Sequence, residues 1–238
     1  RKYPLMLDYM RCMLEGKSLR ACANEVGICL KTSFEWRHKI LAAIRALEGG
    51  ISFSGIVEAD ELLMKYSEKG RKFKNKEEYR KAKNKKHPKV AVLVVTDREG
   101  NLLFKQVGEK KVKNEQLREE LKNRLSENNL ICVKPKKEFR KGVKGLQSKK
   151  VIVNKRQIKR GIYSVKIVES KISDFKTWLS RFHGVATKYL QSYLMWFVIM
   201  NKYLKELIDP DIGRLLNLSS HDRWAWDKYR EIVSQRYE

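Results

Sequence analysis

Glu58, Asp60 and Glu61 place three carboxylic acids within four residues, at the end of and just after a segment, Ser54 to Asp60, that alternates like a β-strand. Ile56, Glu58 and Asp60 share one face of that strand, and Val57, Ala59 and Glu61 share the other. A carboxylate on a central strand loses its water on folding, and a cation is the usual compensation. Hard Mg2+ takes one or two carboxylates and keeps the rest of its shell for water or phosphate. The spacing therefore points to a metal-binding strand and to phosphate chemistry. The plainer alternative is an edge strand whose acids stand in water. The four cysteines, Cys12, Cys22, Cys29 and Cys132, form no C-x-x-C pair and have no clustered histidines beside them, so they read as buried or half-buried thiols.

The elements that must position these acids follow from periodicity. Residues 1–49 read as three helices: Leu5 to Glu15, a second capped by Ser18 and stopped by Gly27, and a third from Ser33 to Leu47 opened by a Thr32/Glu35 capping box. A short basic helix after a glycine turn is the pattern of a helix-turn-helix, with Arg37, His38 and Lys39 on its outer side as candidate DNA contacts; a small helical bundle is the alternative. After Gly49-Gly50 come the acidic strand, a polar run at 67–89 expected as a mobile loop, a hairpin of Lys89 to Thr96 and Asn101 to Val107, and a helix Val112 to Leu125. A strand Leu130 to Val133, a short helix, a strand Val151 to Val153 and helices Ser170 to Phe182 and Thr187 to Ile208 complete it. The tail from Asp209 is polar and carries Trp224 and Trp226.

Charge narrows the partners. The 238 residues hold 53 Lys+Arg against 28 Asp+Glu, a formal charge of +25, with enough apolar residues (42%) for a real core. Residues 67–89 contribute +8 and 134–160 contribute +11, leaving +6 for the rest. Two concentrated segments suit a phosphate-contacting track better than general solubilisation. Lys69, Arg71, Lys72, Lys136, Lys137 and Arg140 within them, and Lys188 further on, are the candidate contacts to double-stranded DNA. Single-stranded RNA is the weaker alternative, since no RNP-like pattern or aromatic platform stands out. The longest apolar stretch, Tyr193 to Met200, is too short for a bilayer, so a cytoplasmic, nucleoid-associated protein is expected. The chain begins at Arg1, which suggests a piece of a longer one.

Three antiparallel strands followed by strand-helix units give a mixed α/β (α+β) sheet in the ribonuclease H-like order. Three segments are expected: a helical, helix-turn-helix-like segment 1–49, a ribonuclease H-like core 50–208 and a tail 209–238. In that arrangement the first strand, the end of the fourth and the helix after the fifth converge where carboxylates hold two Mg2+ ions for in-line attack on a phosphodiester. Asp60 lies on the first strand and Glu169 at the start of that helix. Asp97, in the turn after the second strand, is expected roughly 20 Å from Asp60.

Five stretches carry a family resemblance: T-S-F-E-W-R-H-K-I-L at 32–41, G-I-V-E-A-D-E at 55–61, S-E-K-G-R at 67–71, T-D-R-E-G at 96–100, and F-K-T-W-L-S-R-F-H-G-V-A-T-K-Y-L-Q-S-Y-L-M-W-F at 175–197. The chain resembles DDE transposases of bacterial insertion sequences with an ISXO-type transposase domain. The resemblance implies DNA cleavage and strand joining with Mg2+ (or Mn2+), a homo-oligomer on DNA, and Asp60 and Glu169 as catalytic and metal-binding residues. It also implies a second aspartate at the end of the fourth strand, where this chain has Lys134. Two readings stay open: a Mg2+-dependent transposase, or a catalytically inactive, decayed or retained DNA-binding protein derived from one.

Overall fold

The computed structural model describes residues 3–154, 161–203 and 230–231. Its chain runs α1 (Tyr3–Leu14), α2 (Leu19–Val26), α3 (Leu30–Ile44), a 3-10 turn (Arg45–Gly50), β1 (Ile56–Met64), α4 (Lys76–Asn84), β2 (Val90–Asp97), β3 (Leu102–Glu109), α5 (Asn114–Lys122), β4 (Leu130–Val133), α6 (Lys137–Lys144), β5 (Lys149–Ile152), α7 (Lys166–Ser180) and α8 (Thr187–Tyr203). The five strands form one sheet in the order β3-β2-β1-β4-β5. β1 and β2 pair antiparallel, as do β2 and β3, whereas β4 runs parallel to both β1 and β5. This is the mixed α/β, ribonuclease H-like arrangement expected from the order of elements, and the acidic strand β1 is its centre.

Strand alternation sends the core to two faces. Leu62, Val92, Val94, Phe104 and Cys132 pack with helices α1, α2, α3, α7 and α8, while Val57, Ala59, Leu93, Val95, Ile131 and Val133 pack with α5 and α6. α6 approaches α5 closely at Gly142, where a Cβ would stand 2.9 Å from Leu117 Cδ2 and 3.1 Å from the Asn114 carbonyl oxygen. Alanine there gains about 1 kcal/mol of helix propensity and meets about 1–3 kcal/mol of overpacking. Gly142→Ala is therefore expected to lower the urea midpoint, and a raised midpoint would refute the close-packing argument.

Several elements differ from the sequence expectation, each for a local reason. The run 67–89, expected as a loop, contains α4. Asn75 caps it by accepting from the Glu78 N–H at 2.8 Å, and Glu77, Glu78 and Lys81, Lys83 complement its dipole. None of its residues is buried, so there was no apolar period to read. α3 starts earlier than expected, with Cys29 rather than Thr32 as N-cap; the Thr32 hydroxyl lies 3.1 Å from Cys29 Sγ instead of capping. The second helix behaves as read: Ser18 Oγ accepts from the Ala21 N–H, and Gly27 ends it in the left-handed region at φ 69°. Cys12, Cys22 and Cys132 are buried and Cys29 is exposed, all as free thiols. Trp224, Trp226 and nearly all of the tail 209–238 lie outside the described residues.

Candidate functional site

The register of the central strands builds the site. Ala59 sits opposite Val133 in the parallel β1/β4 pair, so Asp60, still within β1, stands beside Lys134, the first residue past the end of β4. Glu58, on the same face of β1 as Asp60, is fully buried and receives the start of α7. Its Oε2 accepts from the Ile167 and Val168 N–H groups at 2.9 and 3.1 Å, and its Oε1 accepts from the Ser164 hydroxyl at 3.1 Å. Burial pushes the Glu58 carboxyl above its ordinary range, and those three donors oppose the shift. A carboxylate against a helix N-terminus is favourable, and here it fixes the first turn of α7, which carries Glu169.

Asp60, Lys134 and Glu169 meet as one ion cluster. Lys134 Nζ stands 2.5 Å from Asp60 Oδ2 and 2.6 Å from Glu169 Oε1. Lys136 Nζ adds a second ammonium, 3.2 Å from Asp60 Oδ1 and 2.8 Å from Glu61 Oε1. The Asp60 side chain is only 5% exposed, against 45% for Glu169, so the cluster opens to solvent on the α7 side. Partial burial disfavours the Lys134 charge, but its hydrogen bonds to Asp60 and Glu169 outweigh that and raise its pKa above the ordinary lysine value. It is therefore charged at neutral pH.

A metal that bound Asp60 and Glu169 together would need the position of that ammonium. The donor set is two carboxylates with a lysine between them, and among the described residues no group of three or more His, Cys, Asp or Glu side chains is arranged to hold a metal. Lysine supplies charge but no lone pair while protonated. These residues as they stand do not fit a divalent cation. Neither neighbouring acid repairs the site. Asp97 is nearer than expected: β1 continues to Met64, so Asp60 is mid-strand opposite Val94 while Asp97 faces Val57, about 10 Å along the strand. Its carboxylate closes the β2/β3 turn, accepting from the Ser54 N–H, the Asn101 N–H and Asn101 Nδ2 at 3.0, 2.9 and 2.8 Å. Glu138 pairs with Lys111.

The expected DNA contacts divide. Arg37 and His38 are corrected: both are buried, at 0% and 5% exposure, because α3 buries residues on most of its circumference. Arg37 lies under Phe182 and Trp196, and His38 packs between Phe34 and Tyr189 with ring centroids at 4.3 and 4.0 Å. Lys39 is half-buried. Lys69 Nζ donates to the His183 and Gly184 carbonyls, Arg71 pairs with Glu68 and Glu78, and the Lys188 ammonium sits 5.2 Å from the Tyr189 ring centre. Lys72, Lys137 and Arg140 are exposed. The last two border a groove of about 470 Å³ whose other charged residues are Lys141, Lys144 and Lys150, with no acid. Sequence reasoning missed those three lysines, although 137, 140, 141 and 144 have the spacing of one helical face.

His38 gives a pH prediction. Burial, with Arg37 and Lys188 nearby, pushes its pKa down to about 3 from 6.5. Below pH 6.5 the unfolded chain takes up a proton that the folded chain refuses, so stability falls with acidification, by about 2 kcal/mol at pH 5. Denaturant midpoints from pH 7.5 to 5 are expected to show this loss, and His38→Phe to remove it; an unchanged slope in the variant would place the acid sensitivity elsewhere.

A central strand of buried acids in a β3-β2-β1-β4-β5 sheet, facing a helix that returns a further acid, defines a ribonuclease H-like protein. The ISXO2-like transposase domain matches residues 52–199, and the chain belongs to that transposase family. No curated protein matches it. Among solved structures, a pre-cleavage Mos1 transpososome is similar at 9% identity and a TM-score of 0.37, covering 92% of this chain and 75% of that one. No helix among the described residues is long and apolar enough to cross a membrane.

Proposed function

We propose that this transposase-family protein binds double-stranded DNA and does not itself carry out metal-dependent strand cleavage. The carrying observation is the Lys134 ammonium between Asp60 and Glu169, at the place where the family resemblance implies a third carboxylate. A fixed internal cation satisfies both acids and competes with Mg2+ or Mn2+ for them. DNA binding is supported by the groove between α6 and β5, where Lys137, Arg140, Lys141, Lys144 and Lys150 present five cations to a polyanion. In this reading the α2–α3 pair acts as a helix-turn-helix only through exposed positions such as Lys31, because Arg37 and His38 are packed inside. Assembly as a homo-oligomer on two DNA ends, in the cytoplasm, completes the proposal.

A second reading has its own observation in favour: Asp60 and Glu169 are both within reach of one ammonium, so two corners of a catalytic site are kept. In that reading the chain is an active transposase once Lys134 swings away. Strand cleavage and joining in Mg2+ and in Mn2+ separates the two. No Asp60-dependent product from the natural chain supports the first reading, and product that disappears in Asp60→Ala supports the second.

A further inference from the structure

Three of the five stretches that carry the family resemblance meet around an open cavity of about 460 Å³ that lies away from the carboxylate corner. Phe34, Arg37 and His38 come from the first, Lys69 from the second, and Phe182 and Tyr189 from the third. The α7–α8 turn is tied across to residues 67–71: the Thr187 N–H donates to the Ser67 carbonyl and the Ser67 N–H to Thr187 Oγ1, both at 2.8 Å. Lys69 Nζ clamps the same turn through His183 O at 2.7 Å and Gly184 O at 3.0 Å. His183 and Gly184 both hold positive φ, 53° and 94°, a conformation that a non-glycine residue keeps only when its surroundings impose it.

The charge of this cavity is one-sided. Arg37 is fully buried; its Nη2 donates to the Lys17 carbonyl at 2.8 Å and to Cys22 Sγ at 3.2 Å, but Nε and Nη1 have no hydrogen-bond partner. No carboxylate among the described residues forms a salt bridge with it, and no acidic side chain lines the cavity, whereas Arg20 and Lys69 do. A buried cation without a counter-charge is costly, and its field is poorly screened in an apolar surrounding. An anion entering the cavity would offset that cost. The remaining wall is mostly apolar and includes Phe34, Phe182, Tyr189 and Tyr193, which suits a flat ring rather than a bare inorganic ion.

We propose that this cavity holds one unpaired nucleotide, with its base against the half-buried Phe34 ring, on the side away from His38, and its phosphate in the field of Arg37, Arg20 and Lys69. The inference deepens the DNA-binding reading, which it needs only for the source of the nucleotide: an unpaired base at a DNA end rather than a free mononucleotide. Calorimetric titration of the full chain with 2′-deoxyadenosine 5′-monophosphate and with inorganic phosphate tests the site itself. The nucleotide is expected to bind and phosphate to bind at least about tenfold more weakly, stacking being what separates them. Arg37→Met, which removes that field, is expected to weaken the nucleotide about tenfold. Because that change also touches packing, Leu30→Trp is the second variant: Leu30 lines the cavity yet is 46% exposed, so a larger ring there closes the mouth without entering the core.

A duplex with a three-nucleotide overhang, compared with a blunt one, then identifies the source. Tighter binding of the overhang that both variants abolish supports the DNA end. Nucleotide binding without an overhang preference supports the site with a free nucleotide as its ligand. Absence of nucleotide binding, or binding that neither variant weakens, overturns the inference. Failure of the DNA-binding reading would show separately, as loss of blunt-duplex binding with the nucleotide titration unchanged.

Discussion

Lys134→Asp is expected to make the folding stability of this protein depend on divalent cations, which the natural chain's stability does not. The substitution removes the ammonium that pairs Asp60 and Glu169 and adds a third carboxylate beside them. Lys136 still reaches Asp60 at 3.2 Å, so the buried acid is not left alone. The lost pair and the new repulsion together cost about 2–4 kcal/mol, less than a fully buried pair because Lys134 and Glu169 are partly in water. Hard Mg2+ and Mn2+ take carboxylate oxygens, and without the ammonium Asp60 and Glu169 are free to supply them beside the new aspartate. A cation at 100 times its dissociation constant returns about 2.7 kcal/mol. Thermal melts with and without Mn2+ therefore should separate for Lys134→Asp and superimpose for the natural chain. Melts that superimpose for both would mean that the three side chains do not converge as described.

The second large effect is on DNA. Reversing Lys137, Arg140 and Lys144 to glutamate on α6 removes about three phosphate contacts, which lowers the slope of log affinity against log salt by about 2–3 and the affinity near 0.1 M salt by about a hundredfold. Reversing Lys110, Lys113 and Lys122 instead makes the same change in net charge on other exposed positions. That variant is expected to lose far less affinity and to keep its salt slope. If the two triple variants weaken DNA equally, binding follows overall charge and the α6 groove is not the interface.

How far the sequence reached can be traced residue by residue. The acidic strand was legible because a period of two with Val57 and Ala59 on the opposite face marks a buried strand whatever else it carries. Lys134 was located through the family resemblance, which implies an aspartate just after the apolar run Leu130 to Val133, 35 positions before Glu169. The ammonium bridge could not be read in the same way, since it depends on β4 ending beside Asp60, midway along β1. α4 was hidden because a helix with no buried residue has no apolar stripe. Arg37 and His38 were assigned outward because charged types seldom lie inside. α3 is buried on nearly every side, and Phe182 in the α7–α8 turn with Tyr189 and Trp196 of α8, more than 140 positions later, make room for them. The role of Glu58 was missed for a related reason. Its strand position was legible, but its partners are backbone N–H groups of α7, which no residue type announces.

The central claim is that lysine, not a metal ion, joins Asp60 to Glu169. Calorimetric titration of Mn2+ into the natural chain, into Asp60→Ala and into Lys134→Asp tests it most directly. The account predicts no Asp60-dependent Mn2+ binding in the natural chain and a new binding event in Lys134→Asp. Stoichiometric Mn2+ binding by the natural chain that Asp60→Ala abolishes would contradict it and restore the metal-dependent reading.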